Sequence, residues 1–202
     1  YSNLNFTMDV SGFDTNNVTD MCSMFNRTGY SNQNFTLDVS NFNTSNVTDM
    51  SYMFNGTGYN SPIFTLNVSN FDTSKVTNMS EMFNGVGRSN PNFTLDVSNF
   101  NTSNVTDMSS MFINVGSIST VLDLNVGGFD TSKVTDMSYM FYDLNTHKYV
   151  GSAYQYTGPR SLDVTHFDTS NVTNMAYMFY GCEGLTSLDV RHFDTSKVTN
   201  MS

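Results

Sequence analysis

Seven acidic or amide side chains stand at equivalent places along the chain: Asp9, Asp38, Asn67, Asp96, Asn125, Asp163 and Asp189. Carboxylates and amides are oxygen donors, and rows of them suit calcium. Asp9, Asp38, Asp96, Asp163 and Asp189 are therefore candidate ligands for weak calcium sites, although the glycine-rich, aspartate-bearing nonapeptide calcium repeat is absent. The competing reading is a solvated acidic face, in which stacked aspartates repel and Asn67 and Asn125 interrupt the run. His166 and His192 also occupy equivalent places, and two imidazoles can share a metal, but no third ligand accompanies them. Two threonine columns recur in every copy, one containing Thr44 and Thr73 and the other Thr48 and Thr77. Their hydroxyls are expected to satisfy backbone groups at corners. Cys22 and Cys182 lie about five coils apart, roughly 24 Å at ~4.8 Å per coil. That exceeds the ~7 Å Cα separation a disulfide allows, so none is expected between them. No spacing suggests a Ser/His/Asp or Cys/His catalytic set, a phosphate-cradling glycine loop or a pair of acid/base carboxylates, so the chain reads as non-catalytic.

What must position these residues is one repeated stretch, seen clearly from Leu37 to Phe54. Its central phenylalanines are Phe13, Phe42, Phe71, Phe100, Phe129, Phe167 and Phe193, spaced by 29, 29, 29, 29, 38 and 26 residues. A period of this size is the mark of a solenoid. Within each copy the hydrophobic period changes. Phe35, Leu37 and Val39 alternate with Thr36, Asp38 and Ser40, which predicts a short strand with one apolar face. Val47, Met50, Met53 and Phe54 then follow at i, i+3, i+6 and i+7, which predicts one stripe of a short helix, with Ser45 or Thr48 at its start and Gly56 and Gly58 at its exit. The expected fold class is thus an α/β repeat: a right-handed leucine-rich-repeat-like solenoid with one short parallel strand and one short helix per coil. No coil can fold alone, because the apolar surface it buries is shared with its neighbours.

The whole of 1–202 reads as a single fragment of about seven repeats, uncapped at both ends. Gly29, Gly58, Gly87 and Gly116 form a column that predicts a turn of positive φ. The longest link runs from Asp143 to Arg160 and holds Tyr149, Tyr154 and Tyr156; a protruding loop is expected near 143–160. Lys75, Lys133 and Lys197 share a column, each three residues after an aspartate (Asp72, Asp130 and Asp194), which predicts local ion pairs of little energy. A formal charge of −10 argues against a nucleic-acid partner. No apolar run approaches the ~20 residues of a membrane-spanning helix, and no signal peptide is visible.

The strings SLDVRHFDTSKVTNM (Ser187–Met201) and LDVSNFNTSNVTDMSYMF resemble the BspA-like leucine-rich repeats of bacterial surface proteins. The match lies in Leu-Asp-Val, Phe-x-Thr-Ser, Val-Thr-x-Met and Met-Phe, and it covers nearly the whole chain. The first five copies are longer than is usual for those repeats and lack the cysteine that Cys182 supplies in the sixth. The resemblance implies a secreted or wall-anchored protein, often an adhesin for host matrix, mucus or other cells, and it carries no catalytic residues.

The expected function is therefore non-catalytic adhesion at the cell surface, to a host or cell-surface protein or glycan. The expected contacts are Thr36, Asp38, Ser40, Thr94, Asp96 and Ser98 on the outward strand face, and Tyr149, Tyr154 and Tyr156 in the long link. Aromatic side chains suit carbohydrate or protein contacts. The alternative is a structural stalk or a filament that self-associates through exposed strand edges.

Overall fold

The computed structural model describes residues 5–144, 147–150, 153–156 and 161–202, and of 147–150 and 153–156 the backbone alone. It contains four short strands: β1 (Asn5–Met8), β2 (Asn34–Leu37), β3 (His147–Val150) and β4 (Ala153–Tyr156). Strands β1 and β2 pair in parallel with Phe6 beside Phe35, one repeat apart, while β3 and β4 form an antiparallel hairpin. The hairpin lies inside the link for which a loop is expected. Beyond the strands, parallel bridges join successive coils: Asp20 to Asp49, Asp49 to Asn78, Asn78 to Asp107, Asp107 to Asp136, Asp136 to Asn174 and Asn174 to Asn200, with a second bridge at Asn34 to Ile63 and at Ser161 to Ser187. The chain is thus a stack of coils in register.

The expected fold class is corrected here. Among the described residues there is no helix, so the α/β leucine-rich-repeat-like solenoid with a helix per coil does not form. Nor is there a continuous sheet: the apolar-in, polar-out alternation persists at Phe64, Leu66 and Val68 and at Phe93, Leu95 and Val97, but those segments carry no ladder. The stretch read as helix is a run of tight turns. Tyr52, Glu81, Ser110, Tyr139 and Tyr177 occupy one column and all have positive φ, between 54° and 59°. Four residues on, Gly56, Gly85, Asn114, Asp143 and Gly181 are again left-handed. A left-handed residue at every fourth place stops an α-helix from propagating.

Backbone hydrogen bonds show what replaces the helix. Met53, Asn55 and Thr57 donate three residues back, to Met50, Tyr52 and Phe54. The residues between them, Tyr52, Phe54 and Gly56, donate instead to Ser80, Met82 and Asn84 of the next coil, at 2.9, 3.0 and 2.7 Å. A helix of two turns would satisfy few of its own groups and is costly to nucleate. A turn run stacked on an identical one satisfies nearly all of them.

The core is a set of columns. Phe25, Phe54, Phe83, Phe112, Phe141 and Phe179 stack with ring centroids 5.5 to 6.0 Å apart. Phe6, Phe35, Phe64 and Phe93 form a second column at 5.1 to 6.2 Å. Phe42, Phe71 and Phe100 are 4 % exposed, so the central phenylalanines do face inward, whereas Phe13 in the first coil is 47 % exposed. The Gly87 turn has φ 57°, and a Cβ there would collide with the Phe93 ring, so both the backbone and the packing demand glycine.

Side chains also bind coil to coil. The buried Thr44 hydroxyl accepts from the Asp72 N–H at 2.8 Å and donates to the Asp72 carbonyl at 3.0 Å. Thr73 holds Asn101 in the same way. One hydroxyl therefore takes both backbone groups of a residue in the next coil, where a strand partner would otherwise be needed. The exposed column, Thr48, Thr77, Thr106, Thr135, Thr173 and Thr199, runs the other way, each N–H bonding the preceding coil's threonine carbonyl. The lysine column also differs from expectation. Lys75, Lys133 and Lys197 donate to Asn46, Asn104 and Asn171 of the preceding coil at 2.7, 2.7 and 2.6 Å, and their aspartates feel them only at longer range.

Candidate functional site

The acidic column of the strand face closes turns. Asp9 Oδ1 accepts from the Ser11 N–H and hydroxyl at 2.9 and 2.6 Å, and Asp96 from those of Ser98 at 3.0 and 2.6 Å. Asp163 does the same with Thr165, and Asp38 accepts the Ser40 N–H at 2.9 Å. Asn67 and Asn125 replace the carboxylate with an amide oxygen and keep the bond, to Ser69 and Gly127. At Asp189 the partner is Arg191, whose Nη2 lies 2.6 Å from Oδ2. Hydrogen bonds from the hydroxyl and the backbone N–H hold the Asp9, Asp38, Asp96 and Asp163 carboxyls below the usual carboxylate range; the Arg191 side chain does so at Asp189.

This arrangement occurs three times per coil. In the second coil Asp38 caps Ser40, Asn43 caps Ser45 and Asp49 caps Ser51. The signal was present as three Asx-x-Ser triplets, which sequence reasoning passed over in favour of capped helices. In the candidate calcium row every Oδ1 is already engaged. Among the described residues no group of three or more His, Cys, Asp or Glu is placed to hold a metal ion. His166 Nδ1 lies 4.0 Å from Asp163, and His192 Nε2 lies 3.0 Å from the Val164 carbonyl, so the two imidazoles are engaged separately.

Thr36, Asp38, Ser40, Thr94, Asp96 and Ser98 are all exposed, on the outward side of the alternating segment. Shallow hollows lie between neighbouring coils on this face. One of about 310 Å³ is lined by Thr94, Asp96, Ser98, Asp123 and Asn125, and one of about 270 Å³ by Thr65, Asn67, Thr94 and Asp96. A third, of about 360 Å³, lies between Asp163 and Asp189. Thr94 and Asp96 thus border two hollows, while Thr36, Asp38 and Ser40 border none of these three. Tyr149 and Tyr154 are register partners in the hairpin, and Tyr156 pairs with His147. Their side chains fall outside the described part of the structure.

Cys22 and Cys182 are both free thiols. Cys22 is exposed in the serine column, within 3.3 Å of the Ser51 hydroxyl. Cys182 donates to the Phe141 carbonyl at 3.1 Å, and burial pushes its pKa up to about 11. An apolar hollow of about 510 Å³ lies on the last two coils among Met175, Met178, Leu188, Val190, Phe193 and Met201. These residues continue the core columns.

The fold defines a class: a repeat protein of stacked turn-rich coils, with polar columns displayed along its outside. The family described as "Mycoplasma protein of unknown function, DUF285" matches over residues 1–70, 59–157 and 153–202. The chain belongs to that family. No curated protein and no solved structure matches it.

Proposed function

We propose that the chain is a non-catalytic, extracellular or cell-surface repeat protein that adheres to a host or cell-surface protein or glycan through its strand face. One observation carries this reading: exposed Thr, Asp or Asn, and Ser side chains return at the same register in coil after coil, with hollows between them. Thr65, Asn67 and Ser69 are followed by Thr94, Asp96 and Ser98. Stacked repeats build extended binding surfaces in this way. The resemblance of the Leu-Asp-Val segments to repeats of bacterial surface proteins supports the location.

The test is the combined variant Thr36→Ala, Asp38→Asn, Thr94→Ala, Asp96→Asn. Asparagine keeps the turn bond, as Asn67 and Asn125 already do, so the coils should remain stacked. Adherence to immobilised mucin and to extracellular-matrix proteins should fall about tenfold or more. Unchanged adherence in a variant of unchanged melting temperature would remove the strand face from the proposal.

A further inference from the structure

Another hollow, of about 600 Å³, spans the third to sixth coils on the turn-run side and is lined by Arg88, Asn114, Tyr142, Asp143, Tyr180, Gly181 and Glu183. It shares no residue with the strand face. Three features of its lining break the repeat. In the column of left-handed residues the second, third and sixth coils carry Gly56, Gly85 and Gly181 and the first and fourth carry Arg27 and Asn114, but only the fifth carries a carboxylate, Asp143 at φ 51°. The Asp143 carboxylate is lodged against Gly181, where a Cβ would collide with it. One column offers tyrosine only here: Tyr142 stacks on Tyr180 at 4.9 Å, and beside them Tyr139 stacks on Tyr177 at 5.0 Å. Arg88 replaces the tyrosines of its column, Tyr30 and Tyr59, and its guanidinium sits 5.2 Å above the Tyr59 ring. Its Nε is shut off from solvent and has no hydrogen-bond partner among the described residues.

The chemistry of this lining selects a ligand. An anion would meet Asp143 and Glu183, a cation would meet Arg88, and an apolar ligand would leave the Arg88 Nε, already shut off from solvent, without a partner. A ring of hydroxyls both donates and accepts. It can serve the guanidinium, the carboxylates and the Asn114 amide at once, while its C–H face rests on a tyrosine edge or ring. The volume falls in the range of small-ligand sites, ~300–1,000 Å³. We propose that this hollow binds a neutral hexose or N-acetylhexosamine unit of a saccharide.

The experiment titrates the full chain with a panel of methyl glycosides: galactose, glucose, mannose, N-acetylglucosamine and N-acetylgalactosamine. It reads saturation-transfer NMR and tyrosine fluorescence. The variants are Asp143→Gly, which installs the residue that Gly181 supplies one coil later, and Arg88→Ser, which installs the residue that Ser117 supplies one coil later. Both are compatible with the stack, and melting curves confirm it. At least one glycoside should bind to the parent chain, and each variant should weaken it about tenfold or more. Absence of binding by every glycoside at millimolar concentration, or binding that both variants leave unchanged, overturns the proposal. Adherence through the strand face is a separate readout with separate variants and stands or falls by itself.

Discussion

Thr73 and Thr77 lie four residues apart, recur in every coil and look alike in the sequence, yet the structure gives them unequal work. Thr73 is 1 % exposed, and its hydroxyl alone serves the Asn101 N–H, at 2.8 Å, and donates to the Asn101 carbonyl at 3.0 Å. Thr77 is exposed, and its hydroxyl merely doubles a backbone bond already made from its own N–H to the Thr48 carbonyl. Valine matches the shape of threonine and removes only the hydroxyl. Thr73→Val should therefore cost about 1–2 kcal/mol, the penalty for leaving backbone groups unpaired away from water. Thr77→Val should cost less than about 0.5 kcal/mol, as exposed substitutions do. Urea unfolding of the two variants checks this. Equal costs would mean that the buried hydroxyl does not clamp the coils.

The strand-like segment and the turn run differ in how much of them was legible. The strand pattern is a burial statement, and burial follows from alternation: Phe64, Leu66 and Val68 are buried with Thr65 and Asn67 exposed, although no sheet bonds join them to a neighbour. The turn run defeats the same reasoning because apolar positions at i, i+3, i+6 and i+7 fit either a helix or a left-handed residue every fourth place. Burial of Val47, Met50, Met53 and Phe54 was therefore readable, while the path of the backbone between them was not. That path is settled by where Tyr52, Phe54 and Gly56 send their N–H groups, and their acceptors lie a full repeat away. Gly56, Gly85 and Gly181 in one column carried the warning, diluted by Asn114 and Asp143 in the same column. The candidate site divides likewise: exposure of the strand-face residues came from alternation, whereas the turn-closing role of Asp38 and Asp96 required attention to the serine two places on.

The sign of one substitution separates helix from turn. Ser110 has φ 59°. In a helix interior Ser110→Gly would destabilise by about 0.5 kcal/mol through propensity. At a left-handed position glycine removes the Cβ strain and should stabilise by about 0.5–1 kcal/mol after its own entropy is set against it. A raised melting temperature is the expected outcome, and a lowered one would restore the helix.

At the scale of the whole molecule, the repeated caps make stability a collective function of pH. The carboxyls of Asp9, Asp38, Asp72, Asp96, Asp130, Asp163, Asp168, Asp189 and Asp194 are all held below the usual range, chiefly by side-chain and backbone donors two residues on. Asp143 is shifted the other way, by burial. For a depressed carboxyl the folded state binds its proton later than the unfolded chain does. The contribution is complete above the unfolded value of ~3.9 and is lost as pH falls through the folded values. Nine groups acting this way outweigh Asp143, whose raised value favours the folded state at low pH. At the alkaline end Cys182, pushed up to about 11, favours the folded state until pH passes the ordinary thiol value and then ceases to do so. The formal charge of −10 adds a repulsion that weakens as pH falls from 7 and that salt screens. Stability should therefore rise gently from pH 7 toward pH 5, drop below about pH 4, and drop again above about pH 9. Added sodium chloride should raise the melting temperature at pH 7 and leave the acid limb in place, because that limb reflects lost hydrogen bonds rather than net charge. Thermal melts across pH at low and high salt measure both. An acid limb that vanishes in salt would show that charge repulsion, and not the repeated Asx turn, governs the stack.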